Sequence, residues 1–222
     1  MAFAVLCDGM GGLEHGELAS AAVVRAFRRW ATTTLPELCR EPLEDWVLRQ
    51  QWQSMVDDLN RRIQRYSVQN QTRMGTTATV MLLTQSRYFI MNVGDSRAYE
   101  LTDHIRQITK DHSFVAREIE EGRITPEEAE HNPKRNVLTQ CIGAPKQVYA
   151  DMFFGRTQQN AVYMLCSDGF RHELTSGELF TYLCPQVLVN SKAMEEKSLK
   201  LIALNKQRGE TDNISVSVIR TV

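Results

Sequence analysis

Three aspartates, Asp8, Asp168 and Asp212, stand where apolar strands meet tight turns. Asp8 follows Phe-Ala-Val-Leu-Cys and precedes Gly9-Met10-Gly11-Gly12; Asp168 follows Val-Tyr-Met-Leu-Cys-Ser and precedes Gly169. Asp212 lies in Gly-Glu-Thr-Asp-Asn, just before Ile-Ser-Val-Ser-Val-Ile. Each position puts a carboxylate at the rim of a buried strand, and rims that converge would repel unless a cation held them together. Oxygen donors of this kind suit Mg²⁺ or Mn²⁺, and no His/Cys cluster has the spacing of a zinc site. Glycine after Asp8 frees the backbone and lets an ion approach the Gly9 carbonyl. The plainer alternative is that Asp-Gly pairs simply make turns; three of them at the ends of apolar strands favour the metal.

Two such ions can lower the pKa of a bridging water and direct it in line at a phosphorus or carbonyl centre. Hydrolysis of a phosphate ester is therefore the first chemistry to expect. A Cys-x5-Arg phosphatase loop is excluded, because the sixth residues after the five cysteines are Leu13, Asp45, Gln147, His172 and Asn190. Gly11-Gly12 lacks the Gly-Lys-Ser/Thr ending of a P-loop.

Positioning these residues falls to a mixed set of elements. Residues 2–7 read as a buried strand. Glu17 to Trp30 reads as a helix with Ala19, Ala22, Val23, Ala26, Phe27 and Trp30 on one stripe, and Arg25, Arg28 and Arg29 on a solvated face. Glu41 to about Gln69 reads as a longer helix whose apolar side carries Leu48, Trp52, Met55, Leu59, Ile63 and Tyr66. The period then changes to two. Thr77–Leu83 and Arg87–Val93 form a hairpin, followed by Ser96–Leu101 and Ile105–Ile108, all antiparallel neighbours. Ser113 caps a short helix that stops at Gly122, and Thr125-Pro126-Glu127-Glu128 reads as a capping box. This helical insert is either a lid over a site or a packed surface excursion. Strands return at Val148–Phe153, Val162–Ser167 and Ile214–Arg220, with helices at about 176–183 and 191–205. The order indicates an α+β fold, an antiparallel sheet covered by helices, in one domain over residues 1–222.

The 222 residues carry 26 basic and 27 acidic side chains, so no overall field calls for nucleic acid or an anionic membrane. No apolar run approaches the ~20 residues that span a bilayer. Five cysteines without regular spacing make no disulfide framework and fit a reducing cytoplasm.

An ordered series of segments resembles the bacterial branch of the metal-dependent protein Ser/Thr phosphatases, the type 2C or PPM family. It runs through Asp8-Gly9-Met10-Gly11-Gly12, Gly16-Glu17-Leu18-Ala19-Ser20, Met74-Gly75-Thr76-Thr77, Val93-Gly94-Asp95-Ser96-Arg97 and Ile108-Thr109-Lys110-Asp111-His112-Ser113. It continues through Gly122–Ala129, Asn136–Gln140, Cys166-Ser167-Asp168-Gly169 and Thr211-Asp212-Asn213. The resemblance implies an α-β-β-α sandwich of two antiparallel sheets flanked by helices, with a small helical flap at about 112–145. It implies that Asp8 bridges two metals, that the Gly9 carbonyl binds one, that Asp168 and Asp212 complete the second site, and that Asp111 joins Asp168 at a third, weaker ion. Asp95 is expected to organise a turn.

Two departures from the family follow. Many relatives carry a histidine, proposed as general acid, where Met10 stands; His15 nearby reads as a surface residue at a helix entry. The family also normally begins with about two more strands bearing an Arg-x-x-Asn-Glu-Asp-like segment that supplies a phosphate-gripping arginine and a metal ligand. Residues 1–7 do not match it, so an N-terminally incomplete domain is expected. The implied activity is hydrolysis of phosphoserine and phosphothreonine in proteins by a metal-activated water. Its partners would be Ser/Thr kinases or their targets, and the chain would act as a monomer. The alternatives are a pseudophosphatase that binds phosphoproteins with poor turnover and a hydrolase of small phosphorylated molecules.

Overall fold

A computed structural model describes residues 1–10 and 15–222. Its eight strands form two four-stranded antiparallel sheets. The first is ordered β1 (Ala2–Leu6), β2 (Ala78–Leu83), β3 (Arg87–Val93), β6 (Asp151–Arg156); the second is β5 (Ile105–Gln107), β4 (Arg97–Leu101), β7 (Val162–Cys166), β8 (Val216–Arg220). Helices α1 (Gly16–Thr33), α2 (Leu35–Leu38) and α3 (Asp45–Gln69) cover the first sheet. Helices α7 (Ser176–Leu183) and α8 (Ser191–Gln207) cover the second, and α6 (Asp168–Arg171) packs against α8. The result is the expected α-β-β-α sandwich.

Strand alternation builds three apolar layers from this stack. Val80 and Leu82 of β2 and Phe89, Met91 and Val93 of β3 face the α1–α3 layer, where Phe27, Trp30 and Trp52 meet them. Met81, Leu83, Tyr88 and Ile90 point the other way, to Tyr163 and Leu165 of the second sheet. Val162, Met164 and Cys166 of β7 face α7 and α8. Strands buried on both faces lose the polar half of their pattern, which is why β2 and β7 read as unbroken apolar runs.

The boundaries differ from expectation in three places. Thr34 and Pro36 start a separate four-residue turn of helix, α2, so the long helix begins at Asp45 rather than Glu41. The strand expected at Val148–Phe153 lies at Asp151–Arg156, because Val148 and Tyr149 instead form a loop bonded to Gln53 and Gln140. On α3 the buried side is Leu48, Trp52, Val56, Leu59, Asn60 and Ile63. Tyr66 is 43% exposed and Val68 79%, so the last turns of α3 have left the buried stripe. The helical insert follows its caps: Ser113 accepts from the Ala116 amide at the start of α4 (Phe114–Glu120), and Thr125 and Glu128 form the capping box of α5 (Pro126–Glu130).

Trp52 is 0% exposed and makes an edge contact with Trp30 at 5.7 Å between ring centroids. Trp52→Ala is expected to cost about 3–5 kcal/mol, whereas Tyr66→Ala should stay within about 0.5 kcal/mol. Urea titrations of the two variants check the pair; equal losses would contradict the placement of the helix face.

Candidate metal centre

The chain leaves β1 into Cys7-Asp8-Gly9 and is at once tied to the turn before β2. Thr77 N–H and the Thr76 hydroxyl both donate to the Asp8 carbonyl, at 2.9 and 2.8 Å, and Asp8 N–H donates to Thr77 Oγ1 at 2.9 Å. Thr77 Oγ1 also lies 2.9 Å from Ser96 Oγ, next to Asp95. Gly9 is required by close approach: a β-carbon there would sit 2.5 Å from the Gly16 carbonyl carbon. The start of α1 therefore rests directly on the strand exit, with no room for a side chain between. His15 is half exposed with Nδ1 3.6 Å from Glu17 Oε1, in keeping with a surface residue at the helix entry. Gly11 and Gly12 lie outside the described residues.

On the second sheet, Ser167 locks the turn after β7 to the approach to β8. Its hydroxyl donates to Asn213 O and accepts from Ser215 N–H, both at 3.0 Å. A β-carbon at Gly169 would lie 2.7 Å from Asn213 O and 3.2 Å from Asp212 Cβ, so this glycine too allows two carboxylate-bearing loops to touch. Behind them, buried Asn205 of α8 donates to Phe170 O at 2.7 Å and pins α6.

These supports bring Asp8, Asp168 and Asp212 to one cavity of about 230 Å³. Asp95, at the crossover between the sheets, is a fourth wall. Met10 and Thr77 also line it, and Asn136 and Leu138 reach it from the helical insert. The carboxylates carry more negative charge than their surroundings neutralise. Burial, and then the charges of Asp168 and Asp212, push the Asp8 carboxyl from its ordinary 3.8 up to about 8. Burial, and then Asp168, raise Asp95 to about 6, partly opposed by Arg171.

No three His, Cys, Asp or Glu side chains among the described residues already form a compact cage. The aspartates ring the cavity instead. Mg²⁺ keeps several waters and takes only one or two protein carboxylates, so the donor set fits hard divalent ions: carboxylate oxygens, the Gly9 carbonyl and space for water.

Asp111 is placed differently. Arg97 grips it with two nitrogens, Nε–Oδ1 at 2.8 Å and Nη2–Oδ2 at 2.7 Å, and Arg171 Nη2 lies 3.5 Å from Oδ2. It is not among the residues that line the cavity, and its oxygens are engaged by Arg97, Arg171 and the Gln107 amide. Asp95 takes its place at the rim. The signal that marks Asp95 was present in the sequence: like Asp8 and Asp168, it is an aspartate beside glycine at the end of an apolar strand.

Two outcomes follow. The folded metal-free protein holds protons on Asp8 and Asp95 that the unfolded chain has released, so its stability falls as pH rises from about 4 to about 8. Asp8→Asn should flatten that fall, and Mn²⁺ added at pH 8 should restore the melting temperature of the parent protein. Asp111→Ala should lower stability by roughly 3 kcal/mol in metal-free protein, because two partly buried arginines lose their counter-charge. If Asp111 were an unneutralised ligand, the same change would raise the melting temperature.

A sequence profile of the protein phosphatase 2C family matches residues 1–202. The serine/threonine phosphatase stp of Listeria monocytogenes serotype 4b is 33% identical over 219 residues, covering 97% of this chain and 82% of that protein. The crystal structure of the serine/threonine phosphatase Stp1 from Staphylococcus aureus is similar with a TM-score of 0.82 at 32% identity, over 99% of this chain and 83% of the other. The catalytic domain of the serine/threonine protein phosphatase PstP, solved in complex with two manganese ions, gives a TM-score of 0.77 at 30% identity, over 97% of this chain and 85% of that one. With a profile match over most of its length and relatives of this similarity, the chain belongs to the protein phosphatase 2C family.

Proposed function

We propose that this chain is a protein serine/threonine phosphatase whose reaction takes place in the four-aspartate cavity. The observation that carries the reading is the convergence of Asp8, Asp95, Asp168 and Asp212, from both sheets, on one cavity with unneutralised charge. In this reading Asp8 and the Gly9 carbonyl hold Mg²⁺ or Mn²⁺ from the first sheet, and Asp168 and Asp212 hold it from the second. Two ions is the count proposed, by analogy with the manganese complex of PstP. Such ions acidify water and screen the charge of a phosphate monoester.

The chain's own contributions are orientation and cover. The Thr76–Thr77 bonds fix Asp8 in the direction that meets Asp168, and the Ser167 hydroxyl fixes the Asp212 loop. Residues 112–145 act as a flap: Asn136 and Leu138 meet the substrate side of the cavity and limit its access to water. Met10 carries no proton to give, so the leaving serine or threonine oxygen takes its proton from water.

The substrates are phosphorylated proteins, with Ser/Thr kinases or their targets as the partners proposed. Five free thiols support a reducing compartment such as the cytoplasm, and no helix among the described residues is long and apolar enough to cross a membrane. A monomer in one domain over residues 1–222 completes the reading proposed. The pseudophosphatase alternative finds no support among the relatives reported, each of which carries the name of a phosphatase.

Phosphate release from a phosphothreonine peptide is expected to need Mn²⁺ or Mg²⁺ and to stop on chelation. Asp8→Asn combined with Asp168→Asn should lower kcat/KM by about 100-fold or more. Release that persists in excess chelator, or in the double variant, would sink the mechanism.

A further inference from the structure

One buried histidine outside the cavity lining joins three parts of the molecule. His112 is 8% exposed. Its backbone N–H donates to Gly94 O at 2.9 Å, and Gly94 N–H donates back to its Nδ1 at 3.3 Å. Gly94 has a φ of +106° and precedes Asp95, so these two bonds hold the turn that presents that carboxylate. On its other side, the His112 carbonyl accepts from Thr139 N–H at 2.8 Å, and Ser113 bridges Leu138. Both chain crossings at the base of the 112–145 segment are therefore bonded at or beside this residue.

The ring has a third attachment. Nε2 lies 3.2 Å from Asp151 Oδ2 on β6. Asp151 faces Asn92 across the sheet, and Asn92 Nδ2 donates to Gly94 O at 3.1 Å and to Lys110 O at 3.0 Å. Because Nδ1 accepts from Gly94, the ring proton sits on Nε2 and is donated to Asp151. Both ring nitrogens are thus committed to the protein, and the side chain has neither proton nor lone pair for a substrate. Whatever His112 does, it does through the groups it holds.

We infer that His112 is a positioning residue that joins the base of the flap to the Asp95 turn, so that the cover and the carboxylate rim keep one register. Its consequence for turnover rests on the cavity being the metal centre; the coupling itself can be read without metal.

Three variants separate the attachments. His112→Ala removes both ring bonds, His112→Asn keeps an oxygen near the Nδ1 position, and Asp151→Ala frees Nε2 alone. In metal-free protein, hydrogen exchange should quicken together in peptides spanning 92–97 and 136–140 for His112→Ala, by about tenfold. His112→Asn should restore the slow exchange of the 92–97 peptide. In calorimetry, His112→Ala should also raise the Kd for Mn²⁺ about tenfold, as loss of a partner behind metal ligands does. Exchange that quickens in only one of the two peptides, or a lower melting temperature with both peptides unchanged, overturns the inference. If His112→Ala does not fold, Asp151→Ala should quicken both peptides by a smaller factor, and no change there overturns it equally. Coupled exchange in a protein whose wild type binds no Mn²⁺ would support the coupling while defeating the metal reading.

Discussion

The structure turns on the gathering of carboxylates at one rim, with Asp8, Asp95 and Asp168 half-buried and Asp212 exposed. Carboxylates so close together are unfavourable when charged, and burial with the neighbouring charges makes Asp8 and Asp95 keep their protons to higher pH than usual. The protein tolerates this because the aspartates sit on backbone that has nowhere else to go. Asp8 is stitched to Thr76 and Thr77, and Asp168 and Asp212 are fastened to each other's loops by Ser167. Such a rim is the arrangement that the proposed binding of a divalent cation would relieve.

The supports are of two sorts. Hydroxyl groups satisfy backbone at the strand ends, where ladder partners run out. Glycines then permit backbone to meet backbone, as Gly9 does with Gly16 and Gly169 does with Asn213. The two sorts depend on each other: without the missing β-carbons the loops would stand apart, and without the hydroxyl bonds nothing would aim them. Arginine plays a separate part. Arg97 and Arg171 gather on Asp111, outside the cavity, and Arg171 also reaches the Asp95 carbonyl at 3.4 Å.

Much of this was legible in the residues. Asp-Gly or Asp-Asn pairs next to apolar runs mark three of the four rim carboxylates, since a buried strand must surface at a turn and the turn residues are those that tolerate it. The helices α1, α7 and α8 could be placed from period and caps, because amphipathic spacing and capping are local. What could not be read depends on distant partners. Whether Asp95 or Asp111 faces the cavity is decided by where Arg97 points, fourteen residues from Asp111. That Tyr66 leaves the buried stripe is decided by what packs under the end of α3, which its spacing does not carry. The division into two sheets came from the family resemblance and not from the residue pattern, as a strand buried between sheet and helix carries no mark of which neighbour lies on which side.

The middle apolar layer has one more consequence. Asp8 belongs to the first sheet and Asp168 and Asp212 to the second, while Met81, Ile90, Tyr163 and Leu165 fill the space between the two. Those side chains act as a spacer whose thickness gauges the span between the two halves of the cavity. A larger or smaller residue far down the sandwich would shift that span by fractions of an ångström, with no change at any carboxylate. The spacing of the carboxylates is thus a property of oily packing remote from all four of them.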